Sequence, residues 1–473
     1  MIAILGGGLA GLSAAYELTK RGISGKDIVI FEKEEDAGGL AQTKTCDGFS
    51  FDLGPHRWFT KSDEIHQMWE GLNSPDILEV NRLTRIAYKQ KLLEYPLRPL
   101  QVCKSLGVTA SADAICSYMW QSIKNHFSYM PPQNMEDAFI RQFGPVLYDA
   151  FFKQYNQKLW GGRGCVELSP DWVKQRVKNL SLGKVFIDAL SFGRNCEIIS
   201  FVHRFMYPSH GTGQTSDRMM ESLQRSGGRI YCSSEVEAVI HNGKRITQVV
   251  VSRKGLVEEY DVDYCISSIP IDRLTNSLIP AAATETKNAA SSLSYRSIIF
   301  VVLFLDVPQV VRDNWIYVQD PAVCFNRFMD MASWNKDLSP PGKTSLVFEV
   351  TCNAGDESWK MSDDVWISRV QEDFIREFGL VDAKKILGGT VVKKTHAYPV
   401  YSIDYKNSLN TIKKELQKFR NLELIGRNGM FRYNNMDHSI ASGIAAARNF
   451  LGEKIDLNAI NLDGEYHEEK RQI

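Results

Sequence analysis

Ile2-Ala3-Ile4-Leu5-Gly6-Gly7-Gly8-Leu9-Ala10-Gly11-Leu12 is the stretch that decides the fold. A short apolar strand runs into three consecutive glycines. A helical pattern follows from Leu9 to Lys20, and a second apolar strand, Ile28 to Phe31, closes a β-α-β unit. In Gly6-x-Gly8-x-x-Gly11 the backbone must turn sharply, approach a phosphate and let helix pack on strand, and side chains would obstruct all three. The start of the helix then offers unpaired N–H groups and a partial positive charge to a pyrophosphate. Glu32 ends the second strand about 20 residues beyond the turn, where a carboxylate accepts hydrogen bonds from ribose hydroxyls. The unit reads as a dinucleotide-binding start.

Outward from that unit, the chain has 473 residues, more than one hydrophobic core carries, so two or three domains are expected. Its 56 basic and 56 acidic residues balance, which removes any net field toward nucleic acid or an anionic membrane. The nine cysteines form no C-x-x-C pair, and no His cluster has metal-ligand spacing, so neither a metal site nor a disulfide framework is expected. The longest apolar run, near Ile298 to Leu305, falls short of the ~20 residues a membrane span needs. With no charged leader before Ile2, a cytoplasmic protein with no transmembrane segment is expected.

Helical spacing rich in Phe, Tyr and Trp predicts a helical subdomain over 101–204, punctuated at Pro131-Pro132 and Gly161-Gly162. Short strands at Arg229 to Tyr231, Val236 to Ile240, Ile246 to Ser252 and Tyr264 to Ile269 predict a return to the first domain. Strands predominate from Ser297 to Val400, with one amphipathic helix near Val365 to Phe378. A last strand, Leu422 to Ile425, leads through a Gly-rich loop into a helix from Asp437 to Phe450. The expected division is 1–78 with 205–290 and 415–455 as a discontinuous cofactor domain, 101–204 as the helical subdomain, and 79–100 with 291–414 as a substrate-facing sheet. A polar tail over 456–473 is expected to fray.

Gly38-Gly39-Leu40, a second glycine pair after the acidic strand, resembles the extended fingerprint of the amine oxidase group of flavoproteins and points to FAD rather than NAD. Phe51-Asp52-Leu53-Gly54-Pro55-His56 resembles the segment by which UDP-galactopyranose mutases bring a Gly-Pro-His turn against the isoalloxazine ring. Arg85-Ile86-Ala87-Tyr88 with Leu93-Glu94-Tyr95-Pro96 is similar to that family's strand pair. Trp172 and Arg176 fall where the family carries a diphosphate-binding arginine. Gly426-Arg427 with Arg432-Tyr433-Asn434-Asn435-Met436-Asp437 is similar to its closing loop. Arg57-Trp58-Phe59-Thr60-Lys61 and Tyr398-Pro399-Val400-Tyr401 look more like a related oxidoreductase branch.

The resemblance implies an α/β fold: a Rossmann-like FAD-binding domain of the glutathione-reductase type, a helical subdomain and a mixed-sheet substrate domain. It implies FAD contacts from Gly6, Gly8, Leu9, Ala10, Gly11, Glu32, Lys33, Gly39, Leu40, Gly54, Pro55, His56, Val236, Gly426, Arg427, Asn435, Met436, Asp437 and Ser439. It also implies a pyranose/furanose isomerase of nucleotide-sugar metabolism in which N5 of reduced flavin is the nucleophile. An electron donor, NAD(P)H or a reductase, would then be needed.

Arginine suits a diphosphate because its fork stays charged and grips oxygens bidentately, which makes Arg176 and Arg327 the clamp candidates. Tyr398 and Tyr405 are candidate hydroxyl donors to the same group, and His56 is a candidate neighbour of the flavin N5 region. Asp437 is expected both to cap the final helix and to approach FAD. His210 lies in a Gly-rich turn that reads equally as site wall or plain loop. Trp120, Phe151, Phe152, Tyr155 and Trp160 read as helical core, with base stacking as an alternative for Trp160. The competing function is a flavin oxidase or dehydrogenase of the protoporphyrinogen oxidase type, which calls for an apolar pocket. A flavin-binding protein without catalysis calls for a blocked one.

Overall fold

The computed structural model describes residues 1–95, 99–127, 130–162, 164–176 and 204–461, with the backbone alone at 99, 100 and 174–176. Expectations for 177–203, for Pro96 and for the tail from 462 onward lie outside the described residues.

The opening unit forms as the pattern requires: strand β1 (Ile2–Leu5), helix α1 (Leu9–Lys20) and strand β2 (Ile28–Phe31). Both strands are buried along their whole length, which is why they read as continuous apolar runs and not as alternation. They sit inside a five-stranded parallel sheet ordered Leu422–Leu424, Tyr264–Ser267, β1, β2, Arg229–Tyr231. The order shows two late segments of the chain returning to pair beside the first strand.

Two of the strands expected to return there do not join this sheet. Ser234–His241 and Ile246–Arg253 pair antiparallel and, with Leu256–Asp261 and Leu278–Ile279, form a separate four-stranded sheet. Their alternating burial suits a sheet with one face in water, whereas the parallel sheet is covered on both faces.

The third large sheet has seven strands, ordered Ile386–Val400, Ser294–Leu305, Thr344–Cys352, Arg327–Asp330, Trp315–Val318, Thr84–Tyr88, Lys91–Glu94. All its pairs are antiparallel except Trp315–Val318 with Thr84–Tyr88. Its longest strand, Ile386–Val400, has weak alternation and half-exposed residues over most of its length, so its pattern does not single it out. Register with Ser294–Leu305, broken by a shift between Arg296 and Ile298, defines it instead.

Between Pro99 and Arg176 the described elements are helices, with one 3-10 turn. Phe152 stacks on Phe139 at 4.9 Å and on Phe143 at 4.6 Å, and Phe151 and Trp160 are buried, as helical core requires. Trp120 departs from that expectation and stands 69% exposed. The closing helix, Met436–Phe450, crosses α1 at Gly443, where a Cβ would lie 2.1 Å from the Ala10 carbonyl oxygen. Arg448 of that helix donates to the buried Glu17 of α1 at 2.9 Å. The tail is not loose where it begins. Leu457 is buried, and Arg432 donates to the carbonyls of Asn458 and Ile460, so residues up to Asn461 are held against the body. No described helix is long and apolar enough to cross a membrane.

Candidate active site

A cavity of about 300 Å³ runs between the parallel sheet and the seven-stranded sheet. At one end lies the N-terminus of α1. Gly8 is its N-cap, with extended backbone and no side-chain cap, so the first-turn amides face the cavity. Gly11 has no room for a side chain: a Cβ would stand 2.1 Å from the Gly6 carbonyl oxygen. Gly8 bridges to Gly38, and Gly39, Leu40 and Ala41 form the facing wall.

A second helix N-terminus meets the same cavity. Asn435 caps Met436–Phe450 in a reciprocal arrangement: its side chain accepts from the His438 amide, and its own N–H donates to His438 Nδ1 at 3.3 Å. His438 is therefore a capping residue. Met436, Asp437 and Ser439 line the cavity beside Asn435. Two helix starts at one cavity give a concentration of backbone donors suited to an anionic chain.

The middle wall is the Gly54-Pro55-His56 turn. Asp52 anchors it from inside the protein, accepting hydroxyl hydrogen bonds from Thr43, Tyr207 and Thr212 at 2.6 to 2.7 Å. Gly54, at φ +104°, brings the turn against the sheet, where a Cβ would be 3.1 Å from Glu349 Oε1. His56 Nδ1 is buried with no hydrogen-bond partner. Burial and the neighbouring Arg427 and Arg327 guanidiniums push the ring's pKa down to about 3, so the imidazole is neutral at physiological pH.

The far wall is the face of the seven-stranded sheet, from which Ile298, Phe300, Trp315, Tyr317, Arg327, Glu349 and Tyr398 reach the cavity. Arg327 Nε donates to Glu349 Oε1 at 2.7 Å, and Nη2 donates to the Tyr398 hydroxyl at 3.3 Å. Burial alone would lower the arginine's pKa, but Glu349 and the surrounding tyrosines raise it well above the usual value. Burial keeps the Tyr398 hydroxyl protonated, so it remains a donor. Arg427 donates to the carbonyls of Asn434 and Ala397, both at 2.9 Å, and lies 4.9 Å over the Tyr433 ring, which stacks on Tyr398 at 5.3 Å.

Of the residues singled out in the sequence, the structure brings Gly8, Leu9, Ala10, Gly39, Leu40, Pro55, His56, Arg327, Tyr398, Gly426, Arg427, Asn435, Met436, Asp437 and Ser439 to this one cavity. Gly6, Gly11 and Gly54 shape its turns without lining it. Glu32 is buried behind the Gly-rich turn, its two oxygens accepting from the Gly7 and Glu34 amides at 2.7 and 2.9 Å. Lys33 pairs with Glu235 on the surface, and Val236 belongs to the separate antiparallel sheet; both stand outside the cavity. Tyr405 also lies elsewhere, stacked on Tyr401 at 4.5 Å and donating to Asp171 Oδ2 at 3.2 Å. His210 is exposed in a loop outside the cavity. Arg176 ends the helix Asp171–Arg176, and its side chain is outside the described residues.

Tyr317, Glu349 and Phe300 reach the cavity without having been singled out, and Tyr433 reaches it from the closing loop. Tyr317 and Phe300 had a signal: each is two residues from another lining residue, Trp315 or Ile298, on a strand whose alternation places both on one face. Glu349 had none, because its role comes from lying opposite Arg327 across the Arg327–Asp330 and Thr344–Cys352 pairing.

The group this cavity fits is a dinucleotide that carries a flavin. Two helix N-termini and the glycine facing pair suit its pyrophosphate, while the orphaned His56 Nδ1 and Asn428 Oδ1 await polar partners. A family model described as flavin-containing amine oxidoreductase matches residues 9–451, and the chain belongs to that family. It is an FAD-dependent flavoenzyme. Among solved structures, that of a reduced UDP-galactopyranose mutase superposes with a TM-score of 0.83 at 22% identity, over 98% of this chain and 96% of that one. A probable UDP-galactopyranose mutase of Klebsiella pneumoniae is 25% identical over 164 residues, 34% of this chain and 41% of that protein. The 1-hydroxycarotenoid 3,4-desaturase of Flavobacterium sp. (strain P99-3) is 40% identical over 321 residues, 63% of this chain and 62% of that protein. The chain thus spans less than two thirds of the length of these curated relatives.

Proposed function

We propose that this flavoenzyme interconverts the pyranose and furanose forms of a nucleotide sugar, in the manner of a UDP-galactopyranose mutase. The observation that carries the reading is Arg327: a guanidinium fixed by Glu349 and Tyr398 in the wall of the cavity, with Arg427 nearby. A fixed cation there suits a substrate that carries a diphosphate and is wasted on a hydrocarbon. On this reading the parallel sheet and its helices hold FAD, the seven-stranded sheet receives the sugar nucleotide, and Arg176 is the second arginine of the clamp. Reduced FAD, loaded by NAD(P)H or a reductase, would supply its N5 as nucleophile.

The protein's own groups do the rest. Arg327 and Tyr398 hold and orient the departing diphosphate. Neutral His56 offers the flavin edge a hydrogen-bonding nitrogen without adding charge. Gly54-Pro55-His56 and the Tyr398–Tyr433 stack fix the width of the space between them.

A second reading, net oxidation of an apolar substrate, is favoured by the aromatic wall of Phe300 and Trp315 and by the desaturase relative. One experiment separates the two. The protein is reduced anaerobically, given UDP-galactopyranose and related nucleotide sugars, and assayed for furanose product. Conversion by reduced but not oxidised protein supports the isomerase. Failure to form furanose, together with flavin bleaching or oxygen consumption when the oxidised protein is given a carotenoid in air, replaces it with the oxidoreductase.

A further inference from the structure

Lys158 stands in the helix Lys153–Trp160 and reaches across to the seven-stranded sheet. Its ammonium donates to three backbone carbonyls: Val318 at 3.2 Å, Asp320 at 2.9 Å and Phe325 at 2.7 Å. Three N–H donors thus meet three acceptors, and among the described residues no carboxylate forms an ion pair with it. The carbonyls belong to the turn that joins the strands Trp315–Val318 and Arg327–Asp330, so one cation closes the loop just ahead of Arg327.

The main chain of Lys158 grips the same turn. Its carbonyl accepts from the Thr351 hydroxyl at 2.9 Å, and that hydroxyl accepts from the side-chain amide of Asn326, also at 2.9 Å. Asn326 precedes Arg327, and Thr351 follows two residues after Glu349, the carboxylate that holds Arg327. The titratable groups around the ammonium are Asp320 and Cys324 on the turn and Arg369, Asp373, Arg376 and Glu377 on the helix Asp363–Phe378. Arg376 engages Asp373 and donates to the Ala322 carbonyl at 3.1 Å. Burial pushes the Lys158 pKa down to about 8, against the pull of Asp320, Asp373 and Glu377.

We propose, on the reading of Arg327 as a diphosphate clamp, that Lys158 is its positioning residue: the ammonium closes the turn before Arg327 and so sets where the guanidinium meets the substrate. Glu349 and Tyr398 fix the tip of the Arg327 side chain, whereas the turn fixes the backbone it hangs from. Loss of the proton leaves two donors for three carbonyls and aims a lone pair at them, so the turn loosens. With a pKa of about 8, the grip on a diphosphate weakens as the pH rises through that value. An arginine at this position stays charged throughout.

Calorimetric titration of the full-length, FAD-loaded chain with UDP tests the pH dependence. In the parent, Kd is expected to rise about tenfold between about pH 7 and about pH 9, as the charged fraction of Lys158 falls by that factor. Lys158→Met should bind UDP about tenfold more weakly already at neutral pH, and neither it nor Lys158→Arg should show the alkaline rise. A parent with a flat profile, or a rise that persists in Lys158→Arg, overturns the proposal. Amide hydrogen exchange without ligand gives a second readout: residues 318–328 should exchange at least about fivefold faster in Lys158→Met than in the parent. Equal exchange overturns the positioning role even where UDP binds. A parent that binds no UDP sinks the diphosphate reading instead, and exchange alone then judges Lys158. Should Lys158→Met lose its flavin spectrum, the pH profiles of the parent and Lys158→Arg decide.

Discussion

Arg327 and Glu349 form a pair whose side chains are 20% and 5% exposed, and each is there because of the other. Arg327→Ala leaves a buried carboxylate without its cation, a change that destabilises by roughly 3–5 kcal/mol, so a clear fall in Tm is expected alongside lost activity. Arg327→Lys keeps the charge but cannot reach Glu349 and Tyr398 together. Turnover of a nucleotide sugar should then fall about a hundredfold while Tm drops less, measured by steady-state kinetics beside thermal melts. His56 makes a pH prediction. Its folded pKa is about 3 against an ordinary 6.5, so below 6.5 the unfolded chain takes up a proton that the folded chain refuses. Stability is lost as pH falls through that window. In His56→Gln the urea midpoint should change less between neutral pH and about pH 5 than in the parent; an unchanged slope refutes it.

Among the elements, the crossing of α1 with Met436–Phe450 positions the helix start that faces the cavity. At Gly443 a Cβ would lie 2.1 Å from Ala10 O and 2.2 Å from Ser13 Oγ. Gly443→Val should push the helices apart, costing about 1–3 kcal/mol and loosening flavin, seen as a lower Tm and a lower ratio of flavin to protein after gel filtration. Flavin retention equal to the parent's would show that this crossing does not set the site. The elements themselves were read with uneven success, for a physical reason. β1, α1, β2 and Trp315–Val318 were legible because local pattern and burial agree. Ile386–Val400 was not, since a strand with half-exposed residues over most of its length announces itself only through its partner.

At the scale of the molecule, the cavity draws on the parallel sheet, the Gly54-Pro55-His56 turn, the seven-stranded sheet and the closing loop. A ligand that touches all of them couples their stabilities. Stripping FAD should lower Tm and broaden the transition, and adding it back should restore both, with about 4 kcal/mol gained at a thousand-fold excess over Kd. A melt insensitive to added FAD would mean that the cavity does not hold it.

The sequence by itself determined the nucleotide-binding turn, the FAD assignment and most of the residues around the cavity. Glycine spacing and strand-helix periodicity are local properties, and Gly6, Gly8 and Gly11 act within one turn of chain. Tertiary structure alone decided the partners. It set Glu349 against Arg327, placed Tyr405 on Asp171 away from the cavity, brought Arg427 over Tyr433, and turned the apolar edge of Val108–Phe127 outward. Each of those depends on which segments pack together, and contacts between distant segments leave no period in the sequence to read.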